Sequence, residues 1–99
     1  MKIEKRKVDG QLTVSLEGRL DTTTAPLFEE SLRGELDGVV CLVFVMAKLE
    51  YLSSAGLRVI LAAQKYISKK GKLVLKQVPE VILEILDVTG FIDILTVEN

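Results

Sequence analysis

Apolar and polar residues alternate from Gln11 to Glu17. Leu12, Val14 and Leu16 share one face and Thr13, Ser15 and Glu17 the other, which predicts a half-buried strand. Lys2 to Val8 alternates more weakly and is rich in charge, the pattern of an edge strand guarded against further pairing. Asp9-Gly10 between them supplies a two-residue hairpin turn. Pro26 marks the first turn of a helix running to about Leu36, with Phe28, Leu32 and Leu36 at helical spacing toward the core and Asp37-Gly38 as its end. The run Val39 to Val45 has no alternation and predicts a strand buried on both faces of a parallel sheet.

A helix from about Ser54 to Lys70 follows. Its periodicity places Val59, Ile60, Ala63, Tyr66 and Ile67 inward, with Ser54, Arg58, Leu61, Lys65 and Lys69 outward. Lys72 to Lys76 is a short strand. Pro79 opens a third helix with Val81, Ile82, Ile85 and Leu86 inward and Gly90 as its stop, and Phe91 to Val97 is a last short strand. A hairpin followed by alternating helices and strands predicts a single α/β domain over residues 1–99, with order β-β-α-β-α-β-α-β. Its sheet is mostly parallel, with one antiparallel edge and right-handed crossovers. Such sheets bind their ligands beyond the carboxyl ends of the strands. If the strands ending near Leu16 and Val45 are parallel neighbours, the loop holding Asp21 and the Ser53-Ser54 turn share one rim.

The stretch Leu49-Glu50-Tyr51-Leu52-Ser53-Ser54-Ala55-Gly56-Leu57-Arg58-Val59 joins the most apolar run to the best amphipathic helix. It sets two hydroxyls at a helix N-terminus, where free N–H groups and the positive end of the dipole suit an anion. The alternative is that Ser53 or Ser54 is only an N-cap.

Hydrophobic residues make up 48% of the chain and charged residues 27%, a balance that places it among soluble globular proteins and not disordered ones. A net charge of -1 leaves no basic excess for nucleic acid. Histidine is absent, which removes a serine–histidine pair and the commonest zinc ligand. Cys41 is the only cysteine, so no internal disulfide forms, and its place in an apolar run predicts a buried, inert thiol. The apolar run Val39 to Ala47 is too short to cross a membrane, and no signal-peptide pattern opens the chain, so a cytoplasmic location is expected.

The chain resembles the anti-sigma factor antagonists, built on the STAS domain. The resemblance rests on Gly18-Arg19-Leu20-Asp21-Thr22-Thr23-Thr24-Ala25, on the Leu49–Val59 stretch, which is the specific signature, and on Val88-Thr89-Gly90-Phe91. It implies a cytoplasmic switch with no catalytic activity and no cofactor. Such a switch binds an anti-sigma factor that is also a serine kinase, so releasing a sigma factor. The kinase then phosphorylates a serine of the signature, and a PP2C-type phosphatase reverses it.

Aligned on Gly56-Leu57, the phosphoacceptor falls on Ser54. Ser53 stands where many members carry aspartate and is a possible second acceptor. Asp21 falls on the family's loop aspartate, with Thr22 and Thr23 beside it on the partner surface. Arg58 lies one turn beyond Ser54, and Leu61, on the predicted exposed stripe, is a candidate packing contact. The chain departs from the family in carrying Val45 where an acidic or amide residue is common, and in having no further helix before Asn99. A monomer is expected. The alternative within binding modules is a scaffold subunit of a larger stress-sensing or lipid-transport complex. An enzyme reading finds no GxxxxGK[ST] loop and no base beside the serine.

Overall fold

Seven residues of β1 (Lys2–Val8) pair antiparallel with β2 (Gln11–Leu20) through the Asp9-Gly10 turn. Both turn residues have positive φ (46° and 81°), the geometry that matches the twist of a tight hairpin. The structure is a computed structural model and describes residues 1–98; Asn99 lies outside the described residues. After α1 (Ala25–Leu32) come β3 (Cys41–Leu52), α2 (Ser54–Ile67), β4 (Lys72–Lys76), α3 (Glu80–Val88), a single 3₁₀ turn at Phe91–Asp93 and β5 (Thr96–Glu98). The sheet order is β1-β2-β3-β4-β5, with every pair after the first parallel. This is the mixed α/β architecture that the alternation predicts.

The core joins Leu12, Val14 and Leu16 of β2 and Leu42 and Phe44 of β3 to Phe28, Ile60, Ile82 and Leu86 of the three helices. Sequential strand order with right-handed crossovers puts all three helices on one face. Phe28 and Phe44 meet edge to face at 5.2 Å, worth about 0.5–1.5 kcal/mol beyond their burial.

Several boundaries differ from the sequence expectation. Helix α1 ends at Leu32, not Leu36, because Gly34 turns left-handed (φ 76°) and lysines capture the carbonyls of the connection. Lys5 Nζ donates to Ser31 O at 2.9 Å, Lys7 Nζ to Asp37 O at 3.0 Å and Lys70 Nζ to Leu36 O at 2.8 Å. Leu36 still packs against the core from outside the helix. Helix α2 ends at Ile67, not Lys70, and Phe91–Asp93 forms a 3₁₀ turn where a strand was expected.

The strand predicted at Val39–Val45 begins at Cys41 and runs to Leu52, while Val40 stays exposed. Cys41 opens that strand half-buried, not sealed in the core. Tyr66 and Val81, expected inward, are about half exposed, and Leu61, expected outward, packs partly against the core. Tyr66 keeps its ring along the α1–α2 groove with Leu32 and Leu36, and the Lys70 ammonium sits 5.0 Å over it.

Candidate functional site at the sheet rim

Strands β2 and β3 outrun β4. Pairing of β3 with β4 stops at Val45 opposite Lys76, whereas β2 and β3 continue to Leu20 opposite Leu52. The extension contains two bulges, each adding a residue to β3, between Ser15 and Glu17 and between Gly18 and Arg19 of its partner. The ribbon closes with the Ser53 amide donating to Leu20 O at 2.8 Å. That bond sets the start of α2 against the end of β2, and so brings Ser53-Ser54 and the Asp21 loop to one rim. Gly56 makes the approach possible: a β-carbon there would lie 2.6 Å from Leu20 Cγ and 3.0 Å from Leu52 Cδ1.

The two serines have different roles. Ser53 is the N-cap of α2, with extended backbone (φ -91°, ψ 171°) and an Oγ that accepts from the Gly56 amide at 3.2 Å. The cap reading therefore holds for Ser53. Ser54 is the first helical residue, exposed, and its hydroxyl makes no hydrogen bond among the described residues. The first turn of α2 contains no acidic side chain, so nothing there opposes an added negative charge at the positive end of the dipole.

Asp21 is turned largely into its own loop. Its Oδ1 accepts from the Thr23 and Thr24 amides, both at 3.0 Å, and its carbonyl accepts from the Ala25 amide at 2.8 Å at the start of α1. Thr24 Oγ1 accepts from the Asp21 amide at 2.8 Å and donates to Arg19 O at 2.7 Å; that bond takes its single proton in preference to Asp21 Oδ1 at 3.2 Å. Oδ2 faces the Arg19 guanidinium at 3.8 Å. The Thr24 amide is the largest influence and holds the carboxyl below its ordinary value of 3.8; burial opposes it, and the Thr23 amide and Arg19 add to the lowering.

A carboxyl with a depressed folded-state value stabilises the fold above its unfolded value, and that contribution is lost as pH falls through the folded value. Asp21→Ala should therefore lower the melting temperature at neutral pH and speed hydrogen exchange at the Thr23 and Thr24 amides. Asp21→Asn, which keeps an acceptor oxygen, should retain most of the protection. The difference in melting temperature between wild type and Asp21→Asn should shrink below about pH 4.

A shallow groove beside Ser54 is lined by Thr22, Ala25, Pro26, Glu29, Ala55, Arg58 and Val59. The structure thus brings Thr22 and Arg58 together across the starts of α1 and α2, with Thr23 exposed on the same loop. Leu61 does not join this group: it is half-buried against the core. The rim has two further side chains that sequence reasoning did not single out. Arg19 lies opposite Tyr51 in register, its guanidinium 4.4 Å over the Tyr51 ring, and both are exposed. The bulge at Glu50 creates that pairing, and no spacing in the sequence announces it. Val45 is half-buried and pairs with Lys76. Among the described residues no group of His, Cys, Asp and Glu could hold a metal ion, and no helix is long and apolar enough to cross a membrane.

Residues 2–99 match the family model described as STAS domain. The chain is 35% identical over 101 residues to a Bordetella bronchiseptica protein named as an anti-sigma factor antagonist, BtrV, covering 100% of this chain and 87% of that one. A Mycobacterium paratuberculosis anti-sigma factor antagonist of known structure superposes with a TM-score of 0.87 at 23% identity, over 97% of this chain and 83% of that chain. The anti-sigma factor antagonist SpoIIAA shares the fold at 12% identity over 99% of this chain. Its unphosphorylated form gives a TM-score of 0.83 over 89% of that chain, and its phosphorylated form 0.75 over 92%. With the signature at the sheet rim and a family match over nearly its whole length, the chain belongs to the STAS domain family, among homologues that are anti-sigma factor antagonists.

Proposed function

We propose that this protein is an anti-sigma factor antagonist whose rim docks an anti-sigma factor that is also a serine kinase, and that phosphorylation of Ser54 ends the contact. The observation that carries this reading is the Ser54 hydroxyl: exposed, unbonded among the described residues, and on the same rim as the Asp21 loop. Ser53 has already committed its oxygen to the Gly56 amide, so it is the poorer acceptor. Thr22 and Arg58 line the groove beside the acceptor, Thr23 lies on the same loop as Thr22, and Asp21 keeps Oδ2 partly available to a partner while Oδ1 holds the loop. Both forms of SpoIIAA carry this fold, so the architecture is compatible with a phosphorylated state.

The protein acts as a cytoplasmic binding switch and not as a catalyst, with a PP2C-type phosphatase resetting it. The test begins with the unmodified chain added to a complex of its sigma factor and anti-sigma factor. Sigma factor should be displaced, and ATP should reverse the displacement while tandem mass spectrometry finds phosphate on Ser54. A sigma factor that stays bound, or phosphate placed elsewhere, overturns the reading.

A further inference from the structure

The outward face of α3 is apolar where a surface helix is normally polar. Val81, Ile85 and Val88 recur at spacings of four and three, so they form one stripe. Val88 is 85% exposed and Val81 50%, and with Ile85, Glu84 and Thr89 they line a shallow open groove. Ile94, 56% exposed, lies just beyond the 3₁₀ turn that packs against this helix. Along one side of the stripe the helical angle places Glu80, Glu84 and Asp87. From Gln77 onward the chain carries five acidic residues, Glu80, Glu84, Asp87, Asp93 and Glu98, and no lysine or arginine. None of the five forms an ion pair among the described residues.

We propose that this face of α3 is a second docking surface, for an amphipathic helix of a protein partner whose apolar stripe is flanked by lysine or arginine. The charge selects the occupant. A second copy meeting α3 against α3 would bring together two acidic segments, neither of which carries a lysine or arginine, and an anionic membrane would be repelled. A basic amphipathic helix satisfies both features at once: its apolar residues cover Val81, Ile85 and Val88 while its cations face Glu80, Glu84 and Asp87. This surface shares no residue with the groove beside Ser54, so occupancy of the one leaves the other open.

The intact chain can be titrated with a synthetic fourteen-residue helical peptide of leucine and lysine in amphipathic order, read by fluorescence anisotropy. A scrambled peptide of equal composition serves as control. The ordered peptide should bind, the scrambled one should bind at least roughly tenfold more weakly, and Val88→Asp should cost the ordered peptide roughly tenfold in affinity. Val88 is so exposed that this variant should keep the wild-type circular dichroism spectrum. Because Val88→Asp adds an acid, attraction by charge alone predicts unchanged or tighter binding, and that result overturns the proposal. Glu84→Lys should weaken binding as well, whereas Ser54→Asp should leave it unchanged. A dimer seen in sedimentation and abolished by Val88→Asp would assign the face to self-association instead, and also overturns the proposal. Anionic vesicles that bind the chain through this face do the same.

Discussion

Ser54→Asp should leave the monomer folded and weaken its complex with the anti-sigma factor by roughly 30-fold to several thousand-fold. The two halves of that expectation have separate causes. Within the monomer, Ser54 is the first residue of a helix whose opening turn has no acidic side chain. A carboxylate there meets the positive end of the dipole, worth about 0.3–1 kcal/mol, so the melting temperature should hold or rise by a few degrees. At the interface the same charge is stripped of water against a surface built for a hydroxyl. Disrupting a charge arrangement in that setting commonly costs ~2–5 kcal/mol.

A phosphoryl group, with about -1.5 to -2 charges, has at least the effect of aspartate. Ser54→Ala should bind as the unmodified protein does and resist ATP-dependent release. Isothermal titration with the anti-sigma factor, with and without ATP, separates the three proteins. Equal affinities for the alanine and aspartate variants would remove Ser54 from the switch.

Gly71→Ala should be the most destabilising single-methyl change in the molecule. A β-carbon at position 71 would lie 1.8 Å from Val40 O and 2.5 Å from Val40 C, which are backbone atoms and cannot rotate away. That carbonyl accepts the Lys72 amide at 3.0 Å, the bond that starts β4 beside β3, and the Gly71 amide itself donates to Ile67 O at 2.7 Å to close α2. Moving Val40 to admit the methyl group would break the first rung between the two strands. Overpacking a tight site costs about 1–3 kcal/mol when side chains can yield, and a backbone clash belongs at or above the top of that range. For a chain of this size roughly 3 kcal/mol corresponds to a fall of about 12–24 °C in melting temperature. Lys69→Ala, exposed and close by, should change stability by under about 0.5 kcal/mol and serves as the control.

Much of the architecture can be read from local patterns because its elements obey one period each. Leu12, Val14 and Leu16 alternate, Val59, Ala63 and Ile67 recur every four residues, and Asp9-Gly10 can hardly be anything but a turn. The second half of β3 hides for a specific reason. Two bulges convert its period of two into a period of three, so that Met46, Leu49 and Leu52 are the buried positions between exposed ones. No strand template fits that spacing. The length of α1 hides for another reason: the lysines that take Ser31 O in the helix and Leu36 O and Asp37 O in the connection after it lie in β1 and after α2, remote in sequence.

At the rim, the Ser53-Ser54 pair is visible as a joint between strand and helix, but the division of labour between the hydroxyls is not. It depends on which residue adopts extended backbone, and that is fixed by the bond from Ser53 to Leu20 O. Tyr66 and Val81 mislead because an apolar residue at helical spacing is read as interior, whereas one lies along a groove and the other on an uncovered stripe.

The bond between Ser53 Oγ and the Gly56 amide would give the proposed switch an input of fixed stoichiometry. Two neighbouring hydroxyls offer a modifying enzyme three marked states in principle, yet one oxygen is already spent holding the helix in place. In the proposed switch a signal written here would be binary, one mark or none per molecule, read out as the fraction of copies marked instead of as a graded density on each.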